Sequence, residues 1–368
     1  MIIGVPILLA GCGGAAPPVG WSNPTGAQDT LYVGSTGGKV YALDPSNGKQ
    51  KWQFPADNNK LGVIYATPLV RDGRVIVASS DKKLYVLDVG SGGKICEYET
   101  GDALIATPAY ADGTVYVGSA DIAPTLQDLT KNFDLSRIPD MVRPAPRKLY
   151  AIDSQKCAKQ WDFTAQDKIW AEPLIVGDTI YVASLDHRLY ALNRTTHAER
   201  WRFEAGGGIA SSPKSNDGLI YFGSFDNKVY AVNAADGKKA WEFATGNWVW
   251  ADPLLVGNLV VIGSLDNKVY ALDAKTGQQK WATPTGGGVR AAASGNSAFV
   301  YVGSEDHKVY ALNVVDGAAV WAQPYDTMSS VLATPTLING MVIVQNTTHK
   351  VIALDAASGQ KKWEIETD

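Results

Sequence analysis

Short runs of β-branched and aromatic residues alternate with Gly, Asn and Asp turn pairs along almost the entire chain. The clearest stretch reads Asp252-Pro253-Leu254-Leu255-Val256, a Gly257-Asn258 turn, Leu259-Val260-Val261-Ile262-Gly263-Ser264, an Asp266-Asn267 turn, Lys268-Val269-Tyr270-Ala271-Leu272, a Lys275-Thr276-Gly277 turn and Lys280-Trp281-Ala282. Such turn residues tolerate the positive φ of tight hairpins, so the stretch predicts four short antiparallel strands. No segment within the repeats has helical periodicity long enough to compete.

The same pattern returns about every forty residues. An aromatic opens each motif at Tyr41, Tyr85, Tyr150, Tyr190, Tyr230, Tyr270 and Tyr310, with Ile352 in the eighth. A tryptophan follows eleven residues later at Trp52, Trp161, Trp201, Trp241, Trp281, Trp321 and Trp363, and only the second unit lacks it. A second register marks the inner strands at Pro24, Pro68, Pro108, Pro173, Pro213, Pro253 and Pro335, with Ala293 in the seventh unit. Both registers count eight. Four-stranded units at this period are arranged radially, so the expected fold is all-β, an eight-bladed β-propeller of four-stranded antiparallel blades over residues 21–368. No interleaved closing strand is evident, which leaves the seam between the first and eighth blades to close by packing.

A chain of 368 residues would ordinarily suggest two or three domains, whereas a propeller is one body whose core forms between neighbouring blades. The net charge of −4, with Lys and Asp scattered, offers no basic stripe and excludes nucleic acid as a partner. Of the four histidines, His187, His307 and His349 hold the turn position that Asn227 and Asn267 hold in the fifth and sixth units, and so read as positive-φ turn residues rather than general bases. No phosphate-binding loop and no Gly-x-Ser-x-Gly elbow is present, and no catalytic residue is assigned.

The unit Tyr270-Ala271-Leu272-Asp273, then Gly277 and Trp281, resembles the tryptophan-docking motif of the pyrroloquinoline-quinone (PQQ) repeat propellers, and the resemblance runs over about residues 20–368. Size and architecture are similar to the BamB-like lipoprotein branch of that family, which implies a non-catalytic scaffold that binds a protein partner at the cell envelope, in outer-membrane protein assembly; as a propeller the chain is expected to be a monomer. In the family's geometry the indole of one blade stacks on the Ala of its own repeat and the Gly of the next. Cys96 stands where the second unit should have its Trp, and Cys157 where the third should have its Gly. The resemblance thereby implies a Cys96–Cys157 disulfide; two buried free thiols are the alternative. A metal site is not expected, since no further Cys or His completes a tetrahedral set. The quinoprotein dehydrogenases of the family carry an adjacent cysteine pair beneath the quinone, a Ca²⁺ site and a catalytic Asp. This chain has no adjacent cysteine pair, so no cofactor is expected and a PQQ-dependent oxidoreductase is the distant alternative.

Residues 1–12 form a short apolar segment ending in Leu9-Ala10-Gly11-Cys12, which resembles a bacterial lipobox with Cys12 lipidated. It is too short to span a bilayer and lacks the Lys or Arg that usually opens a secretory signal. Residues 13–20, with Pro17-Pro18, would then be a tether reaching about 25–30 Å at most. The expectation is an exported lipoprotein held at a membrane, the outer one where the organism has one. Export is consistent with a disulfide.

Departures from the repeat locate candidate binding residues. Ser184 and Tyr190 lie six residues apart, but Ser119 and Tyr150 lie thirty-one apart. The insertion, 121–147 in the third blade, places Leu126, Leu129 and Phe133 at helix-like spacing before a Pro-rich stretch with Arg137 and Arg143. Long loops of this kind are commonly functional, so partner docking or covering of the channel is expected, against packing on blades two to four. Three residues and one residue before the marker proline, strand period two aims side chains to one side, toward the central channel. Trp170, Glu172, Trp248, Trp250, Asp252 and Arg290 would gather there as an aromatic and charged sector. Aromatic-plus-Arg clusters anchor ligands, while channel filling by large side chains accounts for the tryptophans equally. An extracytoplasmic ligand-binding or sensory propeller is therefore the alternative function. The Leu-x-Leu-Arg and Asp-x-Asp segments of the BamB-like partner surface have no counterpart in Ala205–Ala210 or Asn247–Asp252.

Overall fold

The computed structural model describes residues 22–27, 29–120 and 147–367. These form eight sheets of four antiparallel strands, each sheet built from consecutive strands in sequence order. The blades run Thr25–Phe54, Leu69–Glu99, Ala109–Ala165, Leu174–Glu204, Lys214–Ala244, Leu254–Pro284, Ser294–Asp326 and Thr336–Glu366. They close into an eight-bladed propeller, with strands A to D of each blade running from the channel to the rim. Among the described residues there is no helix. The segments 1–12 and 13–20, the insertion up to residue 146, and with them Cys12, Leu126, Leu129, Phe133, Arg137 and Arg143, lie outside the described residues.

Blade six shows how the local sequence becomes strands. Its strand A is Leu254–Val256, strand B Leu259–Ser264, strand C Lys268–Asp273 and strand D Gln279–Pro284. Strand A starts after Asp252-Pro253 because proline has no N–H to give to a ladder. In strand pair C–D, Ala271 faces Trp281 and Leu272 faces Gln279, so Lys280 is an extra residue that bulges strand D. The same bulge recurs at Ala42, Val86, Ala151, Ala191, Ala231 and Ala353. A bulge sharpens twist and re-aims a side chain, and here the re-aimed residue is the one that reaches the next blade.

That residue is usually tryptophan. Trp241 lies against Gly277, whose φ is 72°; a Cβ there would come within 2.7 Å of the indole. The indole Nε1 donates to Ala274 O at 2.9 Å, and Tyr221 Oη donates to the same carbonyl at 3.1 Å. Trp52, Trp201, Trp281, Trp321 and Trp363 donate in the same way to Val89, Ala234, Val314, Ala356 and Pro45. Two seams differ. Cys96 and Cys157 are joined by a disulfide with Cα atoms 6.1 Å apart, the bond that the family resemblance implied. At the following seam Trp161 stacks on His197, centroids 4.4 Å apart, where other blades have glycine. Both Cys157 and His197 keep the positive φ of the glycines they replace.

Between blades the cores are apolar, as where Tyr221, Val229, Trp241 and Val249 pack on Val260, Ile262, Tyr270 and Leu272. In blades four to seven a B–C turn aspartate, Asp186, Asp226, Asp266 or Asp306, then ties in the incoming chain. Asp226 accepts from Tyr230 Oη at 2.5 Å and from Gly206 N of the preceding connection at 2.8 Å. His187, His307 and His349 have positive φ, as do Asn227 and Asn267, which bears out the turn reading. Among the described residues no strand interleaves at the ring's closing seam. Leu31, Val33 and Leu43 pack on Ile343, Val351 and Ala353, Trp363 docks on blade one, and Thr334 N donates to Asn23 Oδ1 at 2.6 Å.

Blade seven departs from the repeat. Its strand D is only Tyr325–Asp326, paired with Lys308 and Val309, because two extra residues after Trp321 shift the chain out of the ladder; Pro284, at the place of Pro324, leaves the strand of blade six intact.

The seam interaction gives a direct test. Trp241→Ala removes a buried indole, its hydrogen bond and its contact with Gly277. The expected loss is about 3–5 kcal/mol in chemical denaturation; a loss below about 1 kcal/mol would show that the docking is not a principal tie between blades.

Candidate functional site at the channel mouth

A cavity of about 90 Å³ opens at the channel mouth, lined by the residues one and three positions before the marker prolines. The residue before proline is confined to extended backbone, and on the innermost strand its N–H has no neighbouring strand to pair with. The next blade supplies a side-chain acceptor instead. Asn23 N donates to Thr67 Oγ1, Thr67 N to Thr107 Oγ1, Glu172 N to Ser212 Oγ, Ser212 N to Asp252 Oδ1, and Thr334 N to Asn23 Oδ1, at 3.3, 3.2, 3.0, 2.6 and 2.6 Å. These bonds join five of the eight blade-to-blade junctions along the channel. Ala292, at the same position in blade seven, has no side-chain oxygen to accept from blade six.

Trp170, Trp250 and Arg290 come together as the strand period predicts. Trp170 and Trp250 stack at 5.5 Å and 20°, one from blade four and one from blade six; the intervening blade five has only Ala210 at that position, which leaves the room. Arg290 lies over Trp250 at 4.6 Å, and its Nε and Nη2 both donate to Glu305 Oε1, at 3.0 and 2.8 Å. Phe225 lies against Trp250 and Trp248. Trp250 is 8% exposed, whereas Trp248 is 46% exposed. The inner tryptophans thus fill the mouth, and Trp248 stands apart from the channel lining on the connection between blades five and six. The Trp170 indole Nε1 is buried and has no hydrogen-bond partner among the described residues.

Glu172 and Asp252 do not pair with Arg290. Their cation is Lys214, whose Nζ is 3.2 Å from Glu172 Oε2. Burial pushes the Asp252 carboxyl above the usual range; Lys214 and the Ser212 N–H pull it back, and Glu172 adds to the rise. For the Lys214 ammonium, burial acts downward, but Glu172 and Asp252 outweigh it and the value is raised. The sequence reading missed Lys214 and Glu305. Both were available as departures from the repeat: Lys214 follows its marker proline where most other blades have an apolar residue or Thr, and Glu305 stands where blades four to six have Leu185, Phe225 and Leu265.

With fold and site in view, the comparisons with known proteins are informative. The sequence matches the family described as outer membrane protein assembly factor BamB over residues 13–130, 145–285 and 266–368. The chain belongs to that family. Outer membrane protein assembly factor BamB of Shewanella oneidensis is 24% identical over 170 residues, covering 44% of this chain and 37% of that protein. The match to this relative therefore spans little more than a third of its length. Among solved structures, BamB from Moraxella catarrhalis superposes with a TM-score of 0.66 at 18% identity, covering 88% of this chain and 91% of that one. A quinohemoprotein alcohol dehydrogenase from Pseudomonas putida HK5 gives 0.68 at 14%, covering 92% and 71%. The computationally designed Ika8 protein gives 0.71 at 14%, covering 96% and 100%. At these identities the structures share the fold and nothing finer is carried across.

The dehydrogenase neighbour raises the question of a quinone. The residues present do not fit one: Cys96 and Cys157 are separated in sequence and joined at the rim of blades two and three, not beneath a channel chamber. The inner tryptophans occupy the mouth, and among the described residues no three His, Cys, Asp or Glu side chains gather as a metal site.

The Asp252 environment predicts a pH signature. Its native carboxyl titrates above its unfolded value, so the stability present while it is protonated is lost as pH rises through the native titration. Asp252→Asn should therefore gain stability relative to the parent between about pH 3 and pH 7, read as denaturation midpoints at the two values. A pH-independent difference would refute this assignment.

Proposed function

We propose that the protein is a non-catalytic scaffold of the cell envelope, exported and lipid-anchored through Cys12, which binds a protein partner in outer-membrane protein assembly. The observation that carries this reading is the family match, which extends over nearly the whole propeller rather than one blade. The channel mouth supports it: Arg290 is clasped by Glu305 and Lys214 by Glu172, so these charges serve one another instead of a reacting group. Among the described residues no helix is long and apolar enough to cross a membrane, consistent with attachment through a lipid. The binding surface is the face that carries the B–C turns and D–A connections, with the exposed Trp248 as anchor, and the insertion at 121–147 in blade three contributes to partner docking. The propeller acts as a monomer, as one closed ring, and nucleic acid is not a partner.

A second reading has one observation in its favour. The buried, unpartnered Trp170 N–H beside Trp250 suits a small ligand with a hydrogen-bond acceptor at the channel mouth, as in a sensory propeller.

Affinity capture from detergent-solubilised membranes distinguishes the two. The intact chain should recover an outer-membrane β-barrel assembly protein, and Trp248→Ala or shortening across 121–147 should lose it. Recovery of no such protein by the intact chain would overturn the scaffold reading. For the anchor, Cys12→Ser should move the protein from the membrane fraction to the soluble one; unchanged partition would remove lipidation from the account.

A further inference from the structure

The disulfide occupies the one seam that has neither a docked tryptophan nor a stacked imidazole. Its two sulfurs are not equivalent. Cys96 lies in strand D of blade two, Lys94–Glu99, an outermost strand at the rim; it is partly exposed and follows Ile95, which is 47% exposed. Cys157 is only 9% exposed and sits in a positive-φ turn. Exchange proceeds by attack of a thiolate on the more accessible sulfur, and exposure selects Cys96 over Cys157.

We propose that Cys96 Sγ is a thiol–disulfide exchange site, attacked by a protein dithiol of the Cys-x-x-Cys kind. The incoming thiolate bonds to Cys96 Sγ, the Cys96–Cys157 bond breaks, and its electron pair goes to Cys157 Sγ, which takes up a proton. The second thiol of the dithiol then attacks its own partner sulfur and releases Cys96 as a thiol. The dithiol is oxidised by two electrons to a disulfide, and the disulfide of this chain is reduced to two thiols. The reverse reaction, from the oxidised form of the same class of protein, makes the bond.

Exchange acts on the rim and not on the ring as a whole. Nearer the channel, Ala66, Leu84 and Leu104 pack on Val115, Tyr150 and Ile152. Tyr150 Oη, from blade three, donates to Thr100 O at 2.8 Å and Asp102 Oδ2 at 2.9 Å. The reduced seam keeps these ties and loses its outer latch. This inference rests on the seam geometry and stands apart from the scaffold reading.

The test uses the full chain with Cys12→Ser, so that only two sulfurs can react, and thioredoxin whose second active-site cysteine is replaced by serine. In native buffer a mixed disulfide should form and map to the peptide containing Cys96. After reduction, hydrogen exchange should show loss of protection over residues 94–99, with residues 259–273 of blade six unchanged. An adduct on Cys157, or none below the denaturant concentration that unfolds the propeller, would overturn the proposal. Cys96→Trp with Cys157→Gly restores an indole opposite a glycine, and its rim protection should not respond to reductant. An equal loss of protection in that variant would also overturn it, and the adduct map decides alone should the variant not fold.

Discussion

The rest of this structure depends on one contact, in which a residue of each outer strand is laid on a positive-φ turn of the next blade. A single blade cannot bury its hydrophobic faces alone, and a repeat gains its stability from the interface with its neighbour. The docking indole adds to the apolar interface a hydrogen bond worth about 1 kcal/mol net, made to a carbonyl that in several blades also takes a tyrosine hydroxyl. It has strict local requirements: a bulge to turn the tryptophan outward, and a left-handed residue without bulk beneath it. The chain meets them at six seams with Trp on Gly. At the other two it changes both partners of the contact or the lower one, while keeping the backbone conformation.

Closing the ring creates the second problem, an inner edge. Eight short A strands face the channel with N–H groups that no ninth strand can take, and buried backbone donors left without partners are costly. The belt through Asn23, Thr67, Thr107, Ser212 and Asp252 answers this by borrowing side-chain oxygens from the adjacent blade. It also explains why a carboxylate is found deep in the mouth at Asp252: its oxygen accepts from Ser212 N, and Lys214 offsets part of the desolvation that results. The charged sector therefore has a structural cause before any ligand is considered. Within that sector, Trp248 and the Trp170 N–H are left over among the described residues once packing and hydrogen bonding are accounted for.

The fold was legible because its information is repeated eight times. A two-residue error in one blade could not shift a register supported by seven others, and even the missing tryptophan of blade two was readable as Cys96 facing Cys157. The site was legible only in part. Strand parity correctly brought Trp170, Trp250 and Arg290 together, but parity gives a side and not a partner. The ion pairs went to Lys214 and Glu305, which come from positions in other registers of the repeat. The short strand D of blade seven was not visible for a related reason: two added residues fall after the Trp, outside both markers, so the counted registers stayed intact while the strand was cut to Tyr325–Asp326.

The rim bears on where a partner can bind. Strand D of every blade is an exposed edge, a template for pairing with another chain unless it is blunted. In blades two, three, five and eight the residue after the docking position is an acid held between two lysines: Glu97 by Lys83 and Lys94, Asp162 by Lys159 and Lys148, Glu242 by Lys228 and Lys239, Glu364 by Lys350 and Lys361. Hydrogen bonds from these lysines hold all four carboxyls below their ordinary values. Exposed pairs of this kind add little stability, so their recurrence is better understood as protection against strand addition: each places three charges on an edge that an incoming strand would have to desolvate. On the proposed scaffold reading, a rim guarded in this way directs the partner to a face of the ring instead. The face with the turns is the one where Trp248, 46% exposed, breaks the repeat.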